Sequence, residues 1–165
     1  MTVDAGTLLV TLADDEIVIE LIGGGSWTLP VGPVSITDRE LERADRPAPE
    51  QLTNGLGIVT DHLDDVVRDS AMVLNATDVV VSGAHALSVA RVELGTHDVP
   101  SGYRLRRVDA DDVFRTLVAE PIAERLHNPG LEATAVETVI GSLCCILSVM
   151  RRLELTDVAI VGPPG

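Results

Sequence analysis

The chain has 165 residues, of which 45% are hydrophobic and 2% aromatic, so a single domain can bury a core of aliphatic side chains. Twelve lysine and arginine residues stand against 26 aspartate and glutamate residues, for a net charge of −14. This charge repels phosphate backbones and anionic membrane surfaces, and the scarcity of aromatic residues leaves little to stack on bases. We therefore expect neither a nucleic-acid partner nor a membrane partner.

Three short strands open the chain. Alternating apolar residues predict strands over 7–12 and 17–22, and the polar turn 13–15 between them predicts an antiparallel hairpin. The glycine run 23–26 predicts a flexible turn into a third strand over 27–31. The chain is therefore expected to begin with a three-stranded antiparallel meander.

Helices and strands alternate along the rest of the chain. Apolar spacing predicts a helix over 48–74, a strand over 79–81, a helix over 84–94 and two helices between residues 109 and 127. We interpret residues 43–49, with two prolines and several charges, as a connector within the domain. This alternation is typical of an α/β domain with parallel strands.

The last helix and strand form the most informative segment. Apolar residues recur at three- and four-residue spacing on one helical face, at Val136, Val139, Ile140, Leu143, Ile146, Leu147 and Met150. A continuous apolar run over 158–161 follows and predicts a buried strand. We interpret the adjacent Cys144 and Cys145 as small core residues rather than redox or metal-binding groups. The four histidines are scattered and lack the paired spacing of zinc ligands.

Several segments resemble, in order along the chain, those of one enzyme family. They are residues 28–37, 47–52, 103–113, 129–131, 149–150 and 158–161. In the same order, they are similar to a Leu-Pro-x-Gly-x-Val strand, the start of the next helix, a connector, a Pro-Gly-Leu segment, the end of the closing helix and the closing strand. The family that carries these segments is the exopolyphosphatase and guanosine pentaphosphate phosphohydrolase (Ppx/GppA) family. Ala135 and Glu137 stand where that family has an Arg-x-Asp pair.

The resemblance implies both a fold and an activity. The implied fold is a single α/β, ribonuclease H-like (actin-like ATPase) domain over residues 1–165, similar to the C-terminal lobe of the family. Family enzymes hydrolyse phosphoanhydride bonds in a cleft between two such lobes, with a divalent metal that would be Mg²⁺ or Mn²⁺. Phosphoryl transfer needs in-line positioning of nucleophile, metal and phosphate. Because the chain resembles one lobe, we expect it to be a poor hydrolase by itself.

The resemblance also nominates phosphate-binding residues near the start of the chain. Asp4, Gly6 and Thr7 resemble the Asp-x-Gly phosphate loop that opens each lobe of actin-like enzymes, where a glycine-rich turn presents amides to phosphate. Most of the glycines of that loop are absent here. The alternative interpretation is that Asp4 is a polar residue near a terminus.

Two further places are weighed as phosphate sites. One is the glycine run at Gly24, Gly25 and Ser26, which we interpret as a turn, with phosphate binding as the alternative. The other is the predicted strand end at Ser82, Gly83 and His85, similar to a Gly-x-x-Gly-Thr loop of the family. Free amides and the helix dipole make such a strand-to-helix junction a natural anion site. The alternative is that His85 is a surface or partly packed histidine.

Arginines cluster in the connector between the middle helices. If residues 104–106 form a strand, alternation puts Arg104 and Arg106 on one face, away from Leu105. We interpret these arginines as compensating nearby carboxylates. An anion-binding or subunit-contact patch is the alternative.

Two functions from different classes follow. In the first, the chain is a degenerate, non-catalytic relative that binds a ligand or assembles with a second copy or a partner chain in place of the missing lobe. In the second, it is a phosphohydrolase subunit acting on polyphosphate or a guanosine nucleotide, with its cleft completed by another chain or copy and with Asp4, Gly6 and Gly83 at the phosphates. An unrelated small-molecule binding role is a distant third. The sequence shows no secretory signal and no apolar run long enough to span a bilayer, so we expect a cytoplasmic protein.

Overall fold

Residues 3–163, which the computed structural model describes, form a sheet with helices packed against it. The strands are β1 (Thr7–Leu12), β2 (Ile17–Leu21), β3 (Ser26–Leu29), β4 (Asp78–Ser82), β5 (Arg104–Arg106) and β6 (Asp157–Val161). The helices are α1 (Pro33–Arg39), α2 (Pro49–Asp69), α3 (Ala84–Leu94), α4 (Arg107–Val118), α5 (Ile122–Arg125) and α6 (Val139–Arg152).

The sheet is mixed, with the strand order β3-β2-β1-β4-β6-β5. β1, β4 and β6 are parallel neighbours, β2 and β3 extend the sheet beyond β1 as an antiparallel meander, and β5 pairs antiparallel with β6. In this register Leu9 lies beside Val80, and Val80 lies beside Ala159. The predicted α/β class and the opening meander are therefore confirmed.

The main core lies between the helices and one face of the sheet, which we call the closed face. Twelve of the 14 residues of α6 are buried, and this helix packs against α1, α2, α3 and α4. Leu8, Val10 and Ile19 supply the sheet side of this core. Because successive strand residues point to opposite faces, Leu9 and Val80 point away from it and lie outside the core cluster.

We call the second face of the sheet the open face, because no helix within residues 3–163 packs its buried side chains against it. The register assigns to it Thr7, Leu9, Thr11, Val18, Glu20, Ser26, Thr28, Asp78, Val80, Ser82, Arg104, Arg106, Asp157, Ala159 and Val161. The predicted sharing of a face by Arg104 and Arg106 is confirmed.

Two predicted elements differ from the structure near the first helices. The segment 28–37, which resembles a strand of the family, leaves the sheet after Leu29 and becomes helix α1. Pro33 is pre-organised for the first helical position, and the Gly32 amide donates to Ser35 Oγ at 2.8 Å. The predicted helix 48–74 is shorter, because Ser70 is extended and a 3₁₀ turn follows at Ala71–Asn75.

The ends of the last predicted helix also shift. α6 begins at Val139, and the preceding Ala133–Ala135 is a 3₁₀ turn, so Val136 is buried outside the helix. The prediction for α3 matches the observed bounds. No helix within residues 3–163 has the length and apolar composition needed to cross a bilayer.

A buried arginine joins the connectors around α5. The Arg125 guanidinium donates to the carbonyl oxygens of Asp45 at 2.7 Å, Glu120 at 3.2 Å, Leu117 at 3.3 Å and Val136 at 3.4 Å. Burial lowers the pKa of Arg125. Hydrogen bonds to carbonyls thus replace the water that a charged group loses on burial.

Candidate functional site

The carboxyl ends of the three parallel strands meet at one edge of the sheet, which we call the carboxyl edge. β1 ends there at Leu12, β4 at Ser82 and β6 at Val161. In open α/β sheets, ligands bind in the crevice outside the carboxyl ends of the strands. This edge is therefore the first place to look for a functional site.

The turn between β1 and β2 lies at the carboxyl edge and is acidic. Its residues are Ala13, Asp14, Asp15 and Glu16, and it is closed by the Ala13 amide donating to Glu16 O at 3.0 Å. Asp14 O accepts from the Val34 amide at 2.9 Å, which holds the turn against α1. An actin-like phosphate loop would have a glycine-rich turn between its first two strands, whereas this turn has three carboxylates and no glycine.

A carboxylate lies against the start of α3. Asp14 Oδ1 is 2.7 Å from Nε2 of His85, the second residue of α3. The His85 side chain is 17% exposed and the Asp14 side chain 74%, so the histidine is packed and the aspartate covers it from solvent. Thr11 Oγ1 and Ser82 Oγ lie 3.2 Å apart on the neighbouring strand ends. The predicted interpretation of His85 as a partly packed histidine is supported by this geometry.

Gly83 has a packing role at this edge. Its φ is +117°, and a Cβ at this position would lie 2.7 Å from Leu12 O. Only glycine allows the loop between β4 and α3 to pass this close to the end of β1. The similarity of Gly83 to a phosphate-loop glycine is therefore accounted for by the close approach alone.

A groove of about 330 Å³ runs along α3 from the carboxyl edge. Its polar lining includes His85, Ser88, Arg91, Glu132 and Thr138. Arg91 Nη1 lies 3.2 Å from Glu132 Oε1, so the cation of the groove is already paired. α3 itself begins without a side-chain cap. The groove thus contains the uncapped amides at the start of α3 and an arginine whose charge is neutralised by Glu132.

The positions that match the Arg-x-Asp pair of the family are not functional equivalents. Ala135 contributes a methyl group to the edge of the groove and is largely buried. Glu137 does not line the groove, and its Oε2 lies 3.5 Å from Arg43 Nη1. Neither residue supplies a cation or a metal ligand to the carboxyl edge.

The other predicted phosphate residues lie at the opposite edge, which we call the amino edge. Asp4 and Gly6 precede β1, and Thr7 begins it. Gly24 and Gly25 lie in the turn between β2 and β3, and Ser26 begins β3. The run at 23–26 is therefore a turn, as predicted. With six residues, β1 is about 20 Å long at the usual rise per residue. Within one chain, Gly6 and Gly83 cannot bind the same phosphate group, so the predicted grouping of Asp4, Gly6 and Gly83 is wrong.

The amides near Gly6 already have partners. The Gly6 amide donates to Ile22 O at 2.9 Å, the Thr7 amide to Asp4 O at 3.1 Å and the Gly24 amide to Leu21 O at 2.8 Å. A phosphate would have to displace these bonds. The adjoining groove, of about 240 Å³, is lined largely by apolar atoms of residues such as Ile22 and Met72. The amino edge is therefore a poor anion site.

The remaining chemistry-bearing groups do not form a second centre. Within residues 3–163 no three His, Cys, Asp or Glu side chains converge on a metal position. Burial raises the pKa of Cys144 to about 12 and raises the pKa of Cys145 well above its usual range, so both thiols are inert core groups, as predicted. A groove of about 670 Å³ between α1 and α2 is lined by acids such as Glu40, Glu50 and Asp61 and would repel phosphate.

Sequence reasoning found Ser82, Gly83 and His85 but missed their partners. Asp14 was recognised as part of a turn, and nothing local signals that this turn reaches α3, 71 residues further along the chain. Arg91 and Glu132 come together from segments 41 residues apart. A prediction that β1 and β4 pair in parallel would have placed the turn after β1 beside the start of α3.

Comparison with known proteins shows which fold this is. No protein-family profile and no curated protein sequence matches the chain. Among solved structures it is similar to an exopolyphosphatase-like protein, with 20% identity and a TM-score of 0.82 over 96% of this chain and 56% of that one. It is also similar to the Aquifex aeolicus Ppx/GppA enzyme, with 15% identity and a TM-score of 0.79 over 94% of this chain and 53% of that one.

An exopolyphosphatase from Cytophaga hutchinsonii gives the same result, with 16% identity and a TM-score of 0.71 over 94% of this chain and 53% of that one. At these identities the similarity shows a shared fold, so the predicted α/β, actin-like fold is confirmed. The chain spans about half the length of the structures it matches.

Proposed function

We propose that this chain is a non-catalytic relative of the Ppx/GppA phosphatases, corresponding to their C-terminal lobe, which keeps the fold for binding or assembly. The shared fold with an exopolyphosphatase-like protein supports the relationship. The function that remains is contact with other molecules through the surfaces of the lobe.

The observation that carries this proposal is the acidic turn at the carboxyl edge. Three consecutive carboxylates, at Asp14, Asp15 and Glu16, stand where a phosphate loop would present amides. At a separation of about 4 Å near a protein surface, two like unit charges repel by about 4 kcal/mol. Each phosphate of a polyphosphate brings at least one negative charge. The turn thus opposes the ligand that an active lobe would have to hold.

The cations near this edge do not offset the carboxylates. Arg91, which lines the groove at this edge, is paired with Glu132. Phosphoryl transfer depends on a positioned metal and on positive groups at the transferring phosphoryl. A site whose arginine is already paired does not supply such positive groups.

The test measures phosphate release and anion binding together. Malachite-green release from polyphosphate and guanosine pentaphosphate, with Mg²⁺ or Mn²⁺, should not exceed that of a heat-denatured sample. Isothermal titration should detect no polyphosphate binding by the wild-type chain. Metal-dependent release that is lost in His85→Ala would overturn the proposal.

A gain-of-function variant makes the same test sharper. Replacing the acidic turn through Asp14→Gly, Asp15→Gly and Glu16→Ser should let polyphosphate bind measurably, because amides then face the anion. The matched control removes three exposed carboxylates from α2 through Glu50→Gln, Asp61→Asn and Asp65→Asn, with the same change in net charge. Equal binding by both variants would show that net charge, and not the turn, excludes the anion.

The second candidate is a phosphohydrolase subunit whose cleft is completed by another chain or a second copy. The uncapped start of α3, beside the groove, is the feature that favours it. In this case Ser82, Gly83 and His85 would contact the phosphates, and Asp4 and Gly6 would not. Phosphate release that rises with the square of protein concentration, or appears on adding a lysate fraction, supports this candidate.

A further inference from the structure

The three parallel strands carry apolar residues on both of their faces. β1 has Leu8, Leu9 and Val10 in succession, β4 has 79–81, and β6 has 158–161. Continuous apolar runs are typical of parallel strands that are buried on both faces. The helices within residues 3–163 cover the closed face alone. The strand sequences are therefore typical of a sheet that is covered on both faces, and residues 3–163 provide no layer over the open face.

The open face has a continuous apolar centre. Leu9, Val80 and Ala159 lie side by side on β1, β4 and β6, and Val161 lies one row further along. Val80 is 3% exposed and does not belong to the main core cluster, so the accessible part of this apolar centre is formed by its half-buried neighbours Leu9, Ala159 and Val161. At five residues, β4 is about 17 Å long, which matches about eleven residues of a helix.

The rim of the open face is acidic. Glu20 is exposed on one side of the apolar centre and has no ion-pair partner among residues 3–163. On the other side, Asp78 and Asp157 share Arg104, whose Nη2 lies 2.8 Å and 2.6 Å from their carboxylate oxygens. Arg106 also lies on the open face and is paired with Asp109, its Nε 2.9 Å from Oδ2. These three carboxylates and two guanidinium groups leave one net negative charge.

We propose that the open face binds an amphipathic helix of a partner chain, with leucine- or alanine-like side chains over Leu9, Val80 and Ala159 and with lysine or arginine residues on its flanks. The acidic rim favours cations on both sides of such a helix. A second copy of this chain fits less well, because it brings another net charge of −14 and the same acidic rim. This inference rests on the assembly role proposed above and names its surface.

The experiment uses a designed probe peptide of about 18 residues, with a leucine and alanine face and lysines on both flanks. The control peptide has the same apolar face and glutamates on the flanks. By fluorescence anisotropy, the lysine peptide should bind the wild-type chain at least about tenfold more tightly than the glutamate peptide. Equal affinity for the two peptides would overturn the charge argument.

Matched variants locate the binding. Ala159→Lys places a long cation at the apolar centre and should reduce affinity for the lysine peptide by about tenfold or more. The same change at an exposed position far from the open face, Ala119→Lys, should leave affinity within about twofold. On the rim, Glu20→Lys should weaken binding by about threefold or more, whereas Glu50→Lys on α2 should not. Circular dichroism confirms that each variant is folded.

Two outcomes would overturn the inference. One is peptide binding that Ala159→Lys leaves unchanged. The other is a dimer, seen by light scattering, that Ala159→Lys converts to a monomer, because a second copy would then cover the open face. Phosphate release is a separate readout. Absence of peptide binding without phosphate release refutes this inference and leaves the proposed function intact, whereas metal-dependent release refutes the proposed function.

Discussion

The two faces of the sheet are built from the same strands but have different surroundings. On the closed face, Leu8 and Val10 are fully buried beneath the helical layer. On the open face, Leu9 is half-buried and Glu20 is exposed. Since apolar side chains contribute to stability in proportion to the area they remove from water, the closed face holds the fold together and the open face is free for contacts. The comparison separates the face that stabilises the fold from the face to which we assign binding.

The largest expected effect comes from two adjacent leucines of β1. Leu8→Ala should lower the free energy of unfolding by about 2–5 kcal/mol, because it leaves a cavity in a packed core. Leu9→Ala should lower it by about 1 kcal/mol or less, since the half-buried side chain loses less apolar contact. Urea unfolding followed by circular dichroism measures both. Similar losses for the two variants would mean that the open face is also covered.

Two helical glycines sharpen the comparison within the helical layer. Gly141 lies where α6 meets α1, and a Cβ there would lie 2.4 Å from Pro33 O. Gly141→Ala should therefore destabilise the fold by about 1–3 kcal/mol through overpacking. Gly57, in α2, has open space where a Cβ would stand, so Gly57→Ala should stabilise by about 0.5–1 kcal/mol. Thermal unfolding measures the two shifts, and shifts of the same sign would contradict the assigned packing.

The smallest expected effect is the pH dependence of an ion pair on the open face. The hydrogen bond from Arg104 holds the pKa of Asp78 below its usual value of 3.8. A carboxyl group with a lowered pKa stabilises the fold above the unfolded-state value, and this contribution is lost as the pH falls through the folded-state pKa.

At neutral pH, Asp78→Asn should therefore cost about 0.2–1 kcal/mol, a range that reflects solvent screening of a partly exposed pair. The cost should vanish at acid pH, where wild-type Asp78 is protonated. Urea titrations at a series of pH values test this, with Asp61→Asn as the control. A pH-independent cost would show that Asp78 acts through packing rather than through its charge.

Much of the fold could be predicted from sequence. The meander, the bounds of α3 and the burial of α6 follow from period-2 and period-3.6 apolar patterns, which are local properties. The third strand, predicted over 27–31, ends at Leu29, and residues 33–37 of the segment that resembles a strand of the family are helical because Gly32, Pro33 and Ser35 start α1. The helix over 48–74 was too long because exposed Met72 and Leu74 fit its apolar pattern.

The candidate site could be predicted only in part. Ser82, Gly83 and His85 were identified, because a strand end that leads into a helix is visible in sequence. Gly6 and the run 23–26 were considered for the same role, yet the sheet places them about 20 Å away at the amino edge. The decisive contact, Asp14 with His85, joins residues 71 positions apart.

The sequence by itself determined the class of the fold, the main buried helix and an acidic character that opposes phosphate and nucleic acid. These properties depend on composition and on spacing between near neighbours. The tertiary structure alone decided which glycines lie at the same edge of the sheet, which carboxylates lie at the carboxyl edge and which face of the sheet stays open. Those outcomes depend on strand order and on the direction of chain crossovers, which bring distant residues together and which no local pattern encodes.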